Sequence, residues 1–470
     1  MNEHGVNEHF DALVIGSGQG GNPLAGALAK AGKKTAIIES RYVGGTCVNV
    51  GCTPTKAMVA SGRIAHLARR AADYGVHTGA VSVDMKEVRE RKREIVGNSR
   101  SRNEKRLSTT ENLELIRGMG RFVEPKTVEV LLKDGGTRTL EAEWVFINTG
   151  LRTAIPAITG IADVPTLNNE TIMELDAIPE HLVVLGGGYI GLEFGQMFRR
   201  FGSRVTIVHQ GHQLLDHEDP DIAEEVYKIL SEDGIVILLE AETKQAGGTA
   251  SKVELRIDIK GKSKTKTVTG SHLLLAAGRV PNSDALQLDK AGIAMDSHGY
   301  IKVNERLETN VPGVYGVGDV KGGPAFTHIS YDDYRIIKAN LLDGGSRTVS
   351  DRMVPYTVFI DPQLGRIGMT EHEARKQDRK IRVAKMPMTS VARAIEVGET
   401  RGLMKIVVDA DSEQMLGAAI LGIEGGEIAS AIQLAMMGGV KFMALRDGVF
   451  AHPTLAEALN NVFFQWEDEK

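Results

Sequence analysis

The chain is 470 residues long, 42% hydrophobic and 25% charged, with a formal net charge of −5 at pH 7. These are the proportions of a soluble globular protein with room for about three domains, and the negative balance argues against nucleic acid as the main partner. No apolar run approaches the ~18 residues of a membrane-spanning helix, and the polar start Met1-Asn2-Glu3-His4 does not read as a signal peptide. Only two cysteines occur, which suits a reducing compartment, so the cytoplasm is the expected location.

A nucleotide-binding unit is predicted at the start. The apolar run Phe10-Asp11-Ala12-Leu13-Val14-Ile15 reads as a buried parallel strand. It leads into Gly16-Ser17-Gly18-Gln19-Gly20-Gly21, a helical pattern to about Ala31, and a second strand, Thr35-Ala36-Ile37-Ile38, that ends at Glu39. In this order Gly16, Gly18 and Gly21 make a tight turn and let a pyrophosphate approach the backbone at a helix N-terminus, and Glu39 takes ribose hydroxyls.

Both cysteines follow at once, in Gly44-Gly45-Thr46-Cys47-Val48-Asn49-Val50-Gly51-Cys52-Thr53-Pro54-Thr55-Lys56. A straight helix separates residues at this spacing by ~7.5 Å of rise, whereas a disulfide needs Cα atoms ~4.4–6.8 Å apart. The Cys47–Cys52 segment is therefore expected to be a loop or a distorted first turn, bent at Gly51. Pro54 suits the first turn of a helix, so a regular helix is predicted from about Thr53 through Val59. That puts Cys52 at a helix N-terminus, where the dipole and a nearby cation lower a thiol's pKa. A close pair in a chain without other thiols points to reversible dithiol–disulfide chemistry; the alternative is a structural disulfide or two inert thiols.

Further on, Asp84–Leu107 reads as a long, solvated, charged helix. The nucleotide pattern then returns: the strand His181-Leu182-Val183-Val184-Leu185, the turn Gly186-Gly187-Gly188-Tyr189-Ile190-Gly191, a helix to Arg200 and the strand Arg204–Val208. Gly186, Gly188 and Gly191 repeat the first turn. The acid's place is taken by His209, with Gln210 next and His212 and Arg204 nearby. Without the carboxylate, repulsion of a 2′-phosphate disappears, and NADPH is expected ahead of NADH. Residues 252–270 read as a polar β-hairpin. From Val354 the texture changes to strands, at Leu403–Val408 and Leu416–Leu421, followed by helices.

Two nucleotide units around a cysteine pair resemble the flavoprotein disulfide reductases, the class I pyridine nucleotide-disulfide oxidoreductases. The likeness covers essentially the whole chain. Beyond the motifs above it includes Asn148-Thr149-Gly150, Ala277-Gly278-Arg279-Val280-Pro281-Asn282, Val314-Tyr315-Gly316-Val317-Gly318-Asp319 and His452-Pro453-Thr454-Leu455-Ala456-Glu457. It implies an α/β fold with two Rossmann-like domains, one for FAD and one for NAD(P), and an α+β C-terminal dimerisation domain. The implied boundaries are 1–150 and 280–350 for FAD, 151–279 for NAD(P) and 351–470 for the interface domain.

The resemblance also implies roles. Cys52 faces the flavin, and Cys47 meets the substrate. Lys56 sits near the flavin N5 with Glu193 as its partner, and Tyr189 covers the flavin until nicotinamide enters. Thr46, Thr149, Gly150 and Arg279 contact cofactor, and Asp319 holds the ribityl chain. His452, oriented by Glu457, is the base, acting on the cysteine pair of the partner subunit in a homodimer. His328 is a weaker candidate near the flavin. No resident metal site and no membrane or nucleic-acid partner are implied. Phe326–Ile336, Val354–Phe359 and His452–Phe463 are similar to mercuric reductase-like flavoproteins induced by reactive chlorine species. The expected acceptor is therefore a metal ion or small oxidant; the alternative is lipoamide, as in dihydrolipoamide dehydrogenase, or another low-molecular-weight disulfide. The chain lacks the C-terminal cysteine pair of mercuric reductase proper.

Overall fold

The computed structural model describes residues 8–249, 251–262, 264–350 and 352–467. The polar start Met1-Asn2-Glu3-His4 lies outside them. The chain divides into two compact units. The first comprises the chain through Ala57, Arg89–Ala154 and Gly278–Arg352; the second comprises Met58–Val88, Ile155–Ala277 and Met353–Lys470.

In the first unit, β1 (Glu8–Ile15) is followed by helix α1 (Gly21–Lys30) and β2 (Thr35–Glu39). β1 pairs in parallel with β2, from Ala12↔Thr35 to Ile15↔Ile38, and on its other edge with β5 (Thr137–Ile147). Side chains alternate along the strand, so Leu13 and Ile15 enter one core while Ala12 and Val14 enter the other. That is why the run reads as continuously apolar. β3 (Leu113–Glu124) pairs in parallel with β2, then turns back through β4 (Thr127–Leu132) to β5 as an antiparallel meander. The strand Val314–Gly316 closes the sheet beside β5.

Three elements position the cysteines: the short helix α2 (Gly45–Asn49), the start of α3 (Cys52–Arg69) and the long helix α4 (Met85–Thr109). The charged helix α4 is not simply solvated, as the sequence suggests. Lys92, Val96 and Leu107 are buried, Arg100 Nε donates to Asn49 Oδ1 at 2.7 Å, and Arg106 donates to Asn22 Oδ1 at 2.8 Å. Its arginines reach back to brace the turns that carry the first glycines and Cys47.

The second unit repeats the arrangement. Strands Val236–Leu238, Arg204–Val208, His181–Leu185, His272–Leu275 and Thr166–Leu167 form a parallel sheet in that order. Leu182 and Val184 face one core, Val183 and Leu185 the other. The polar hairpin is present, and Ala241–Thr249 extends it to three antiparallel strands. From Tyr356 on, five antiparallel strands support the helix Gly425–Met437. The fold is mixed α/β, as the sequence pattern leads one to expect.

Candidate active site

Glu39, at the end of β2, is buried and points back at the glycine turn. It accepts from Ser17 N–H at 3.0 Å, Ser17 Oγ at 2.6 Å and Arg41 N–H at 2.8 Å. Ser17 Oγ in turn accepts from Gly44 N–H at 3.1 Å, and Gln19 Nε2 donates to Gly44 O at 3.2 Å. Gly45 has φ 64°, and a Cβ there would stand 2.6 Å from Gly18 Cα. Only glycine allows that approach. The loop entering Thr46 and Cys47 is therefore stitched directly onto the glycine turn.

Of the two forms expected, a loop or a distorted turn, the cysteine segment is not a loop but an interrupted helix. Cys47 lies on its own short helix α2, Val50 and Gly51 break it, and α3 begins at Cys52 itself. The break reconciles the spacing with a disulfide, which one straight helix would forbid. Gly51 is not in the left-handed region. What demands glycine is the Thr46 carbonyl oxygen, 2.9 Å from where a Cβ would stand. Asn49 Nδ2 clamps the segment by donating to Val43 O at 3.0 Å and Gly45 O at 2.9 Å.

Cys52 is exposed and Cys47 partly buried, both as free thiols. Cys52 Sγ lies 3.2 Å from Thr327 Oγ1, at the start of the helix Thr327–Leu341. The Cys47 thiol is pushed far up, first by its hydrogen bond with Cys52, then by burial and by charge on Cys52. A hydrogen bond from Thr327 and the charge of Lys56, one turn along α3, pull the other way.

Around this pair the first unit offers a cradle. Thr149 Oγ1 is buried without a hydrogen-bond partner, and the position of a Cβ on Gly150 opens onto empty space. A buried orphan hydroxyl needs a partner. Asn148 Nδ2 donates to Gly16 O at 3.2 Å. Asp319 is pushed up by burial against the lowering effect of Arg279, whose Nη1 donates to Asp319 Oδ2 at 3.2 Å. Below it Asp333, fully buried, accepts from Gly318 N–H at 2.8 Å and meets Lys321 at 3.2 Å and Arg352 at 2.6 Å. Donors, a buried ribose-type carboxylate and the orphan hydroxyl together fit a flavin dinucleotide. His328 stacks on Phe326, centroids 5.4 Å apart.

In the second unit Tyr189 opens the helix Tyr189–Phe201 after Gly186–Gly188, and Glu193 on it is buried and accepts from Phe359 N–H at 2.8 Å. His209 is buried as well, its Nδ1 accepting from Gly187 N–H at 3.2 Å and its Nε2 3.1 Å from Asp216 Oδ1. Arg204 stands at the opposite end of its strand, roughly 16 Å from His209 at strand rise, paired with Glu180 at 2.8 Å. It is not near His209, as its closeness in sequence suggests. In the C-terminal region His452 is exposed, with Nδ1 2.9 Å from Glu457 Oε2, while Glu457 N–H donates to Thr454 Oγ1 at 3.2 Å. The nitrogen left for proton exchange is Nε2.

The pyridine nucleotide-disulphide oxidoreductase model matches residues 10–333, and the dimerisation domain of that family matches residues 354–463. The chain belongs to this family. Among pyridine nucleotide-disulphide oxidoreductases, a relative from Escherichia coli (strain K12), "Probable pyridine nucleotide-disulfide oxidoreductase RclA", is 37% identical over 97% of this chain and 98% of its own length. A mercuric reductase of Bacillus cereus is 33% identical over 98% of this chain and 72% of its own. The solved "Cu(II) complex of HOCl-induced flavoprotein disulfide reductase RclA from Escherichia coli" superposes with a TM-score of 0.89 at 36% identity, covering 98% and 99% of the two chains. Like its family, the protein is an oxidoreductase that uses flavin and pyridine nucleotide. Among the described residues no helix is long and apolar enough to cross a membrane, and no cluster of His, Cys, Asp or Glu could hold a metal ion.

Sequence reasoning passed over Ser17, Asn49, Thr327, Asp333 and Asp216. Each acts on a partner set by the fold. Only Asn49, a polar residue between two valines, carried a local signal.

Proposed function

We propose that the protein takes two electrons from NAD(P)H, through FAD bound in the first unit, into the Cys47–Cys52 pair and on to a metal ion or small oxidant. The observation that carries this reading is the placement of the chain's two cysteines on either side of the break between α2 and α3, with Cys52 at the N-terminus of α3, where the helix dipole favours a thiolate. Bound flavin supplies the two-electron relay between nicotinamide and disulfide. The chain's residues do the rest. Gly16, Gly18, Gly21 and Glu39 seat the dinucleotide, Thr46, Thr149, Gly150, Arg279 and Asp319 line it, and Lys56 supplies the cation beside the pair. Gly186, Gly188, Gly191 and His209 receive the nicotinamide nucleotide. Glu193 and Tyr189 keep the roles that the resemblance implies, as counter-charge to Lys56 and cover of the flavin.

On oxidation, one Cys47 thiol and one Cys52 thiolate become a disulfide, giving up two electrons and one proton. The acceptor takes the electrons: two Cu(II) become two Cu(I), or one two-electron oxidant is reduced. His452 Nε2, held by Glu457, takes the proton from the cysteine pair of the partner subunit. Exposed Leu434, Met437, Val449 and Phe464 support pairing through the dimerisation domain. The copper named for the Escherichia coli structure supports a soft metal ion as acceptor. A cytoplasmic setting, where NAD(P)H keeps the pair reducible, fits this chemistry.

The test is anaerobic reduction of the holoenzyme followed by reoxidation with Cu(II), Hg(II), hypothiocyanite, glutathione disulfide and lipoamide. Rapid reoxidation by a metal ion or oxidant, lost in Cys47→Ser, is expected. Rapid reoxidation by lipoamide alone would overturn the acceptor assignment.

A further inference from the structure

We propose that Asp216 supplies the ribose-binding carboxylate that the second nucleotide turn lacks at position 209, and that it selects NADH over NADPH. The inference rests on the reading of Gly186–Gly191 as the nicotinamide-nucleotide turn. It runs against the preference that His209 suggests in the sequence.

His209 is not a free imidazole. Its Nδ1 receives the Gly187 N–H at 3.2 Å, so that atom carries a lone pair and the ring proton sits on Nε2, facing Asp216 Oδ1 at 3.1 Å. The ring is wedged against the turn: a Cβ on Gly187 would stand 2.8 Å from His209 Cγ. The loop after the strand folds back the same way. Leu215 N–H donates to Gly187 O at 3.1 Å, Leu214 is buried beneath the turn, and Leu215 is held at φ 51°. A bulky residue in the left-handed region is uncommon and needs its surroundings to impose it. Here it delivers the next side chain, Asp216, beside the glycine turn. With 53% of that side chain exposed, the carboxylate has lone pairs to offer a ribose diol after binding His209.

The surroundings disfavour a 2′-phosphate. Between Arg204 and Lys228 the sequence has no lysine or arginine, and of its acids Glu218, Asp219 and Asp221 are taken up by Arg366, Lys405 and Lys385, which leaves Asp216 as the carboxylate beside the turn. Arg204 is at the far end of the strand, tied to Glu180. On the neighbouring rim, Lys260 and Lys262 stand among Glu240, Glu242 and Asp258, and Lys260 pairs with Glu240 at 3.2 Å. A phosphate dianion would meet a carboxylate where NADP enzymes place a guanidinium.

The experiment compares wild type and Asp216→Asn as flavin-loaded protein, with flavin absorbance verifying that both are intact. Calorimetric titration of the oxidised holoenzyme with NAD+ and NADP+ reads binding without turnover, and steady-state kcat/KM with NADH and NADPH reads use. Wild type should favour the NAD series by at least about tenfold, and Asp216→Asn should lower that ratio about tenfold, chiefly through NADH KM. A wild-type preference for NADP+, or a ratio unmoved by Asp216→Asn, overturns the inference while leaving the nicotinamide reading intact. Binding of neither nucleotide would overturn that reading, and the inference with it.

Discussion

The two glycine turns share one skeleton and differ in what stands behind it. A Cβ on Gly21 would lie 2.2 Å from Gly16 O, and one on Gly191 would lie 2.1 Å from Gly186 O. Each last glycine exists so that a helix can start against the carbonyl of the first. Behind the first turn stands Glu39, bonded to Ser17. Behind the second stands an imidazole that is itself a packing piece, with the carboxylate supplied seven residues on, by Asp216. The turn is dictated by steric contact and has no substitute, whereas a carboxylate can be delivered from any loop that reaches the same spot.

The largest effect that would break this comparison comes from the shared part. Gly21→Ala and Gly191→Ala each force a methyl into a carbonyl oxygen, an overpacking cost of about 1–3 kcal/mol. Gly21→Ala is expected to purify without flavin. Gly191→Ala is expected to keep its yellow colour but lose reduction by nicotinamide about a hundredfold or more, measured by stopped-flow absorbance. Loss of flavin from Gly191→Ala would mean that the second turn does not serve nicotinamide alone.

A smaller change should follow at the parts that differ. Glu39→Gln removes a charged acceptor from two Ser17 donors, and hydrogen bonds to charged groups contribute about 1.5–3 kcal/mol. Reconstitution of apoprotein with FAD should therefore weaken about ten- to a hundredfold, the counterpart of the Asp216→Asn effect on the nicotinamide side. An unchanged FAD affinity would remove Glu39 from the site. The smallest effect is expected at Arg204. Its pair with Glu180 is exposed on both sides, so Arg204→Ala should cost less than about 1 kcal/mol in chemical denaturation. The NADH to NADPH ratio should move less than about twofold, and a large fall in NADPH use would return Arg204 to the site.

Both nucleotide units were legible because their signal is local: apolar strands four to six residues long, a glycine turn and a helix, repeated in order. The cysteine pair, Lys56, and the His452–Glu457 dyad were legible for the same reason, being short-range motifs. Less was visible at Cys52, where the helix starts at the sulfur itself, because the break at Val50–Gly51 depends on Asn49 and on close contact with Thr46. Nor did the charged composition of α4 betray that Arg100 and Arg106 brace the glycine and cysteine turns.

What the sequence by itself determined is therefore the two α/β units, because periodicity and spacing encode local backbone geometry, and the resemblance to the family, because its motifs are short and contiguous. Only the tertiary structure decided that Thr327 meets Cys52, that Asp333 holds the turn before Asp319, and that His209 packs while Asp216 is presented. Those pairings join residues that a linear pattern does not connect, and they arise when sheets bury their two faces and bring distant loops within hydrogen-bonding distance.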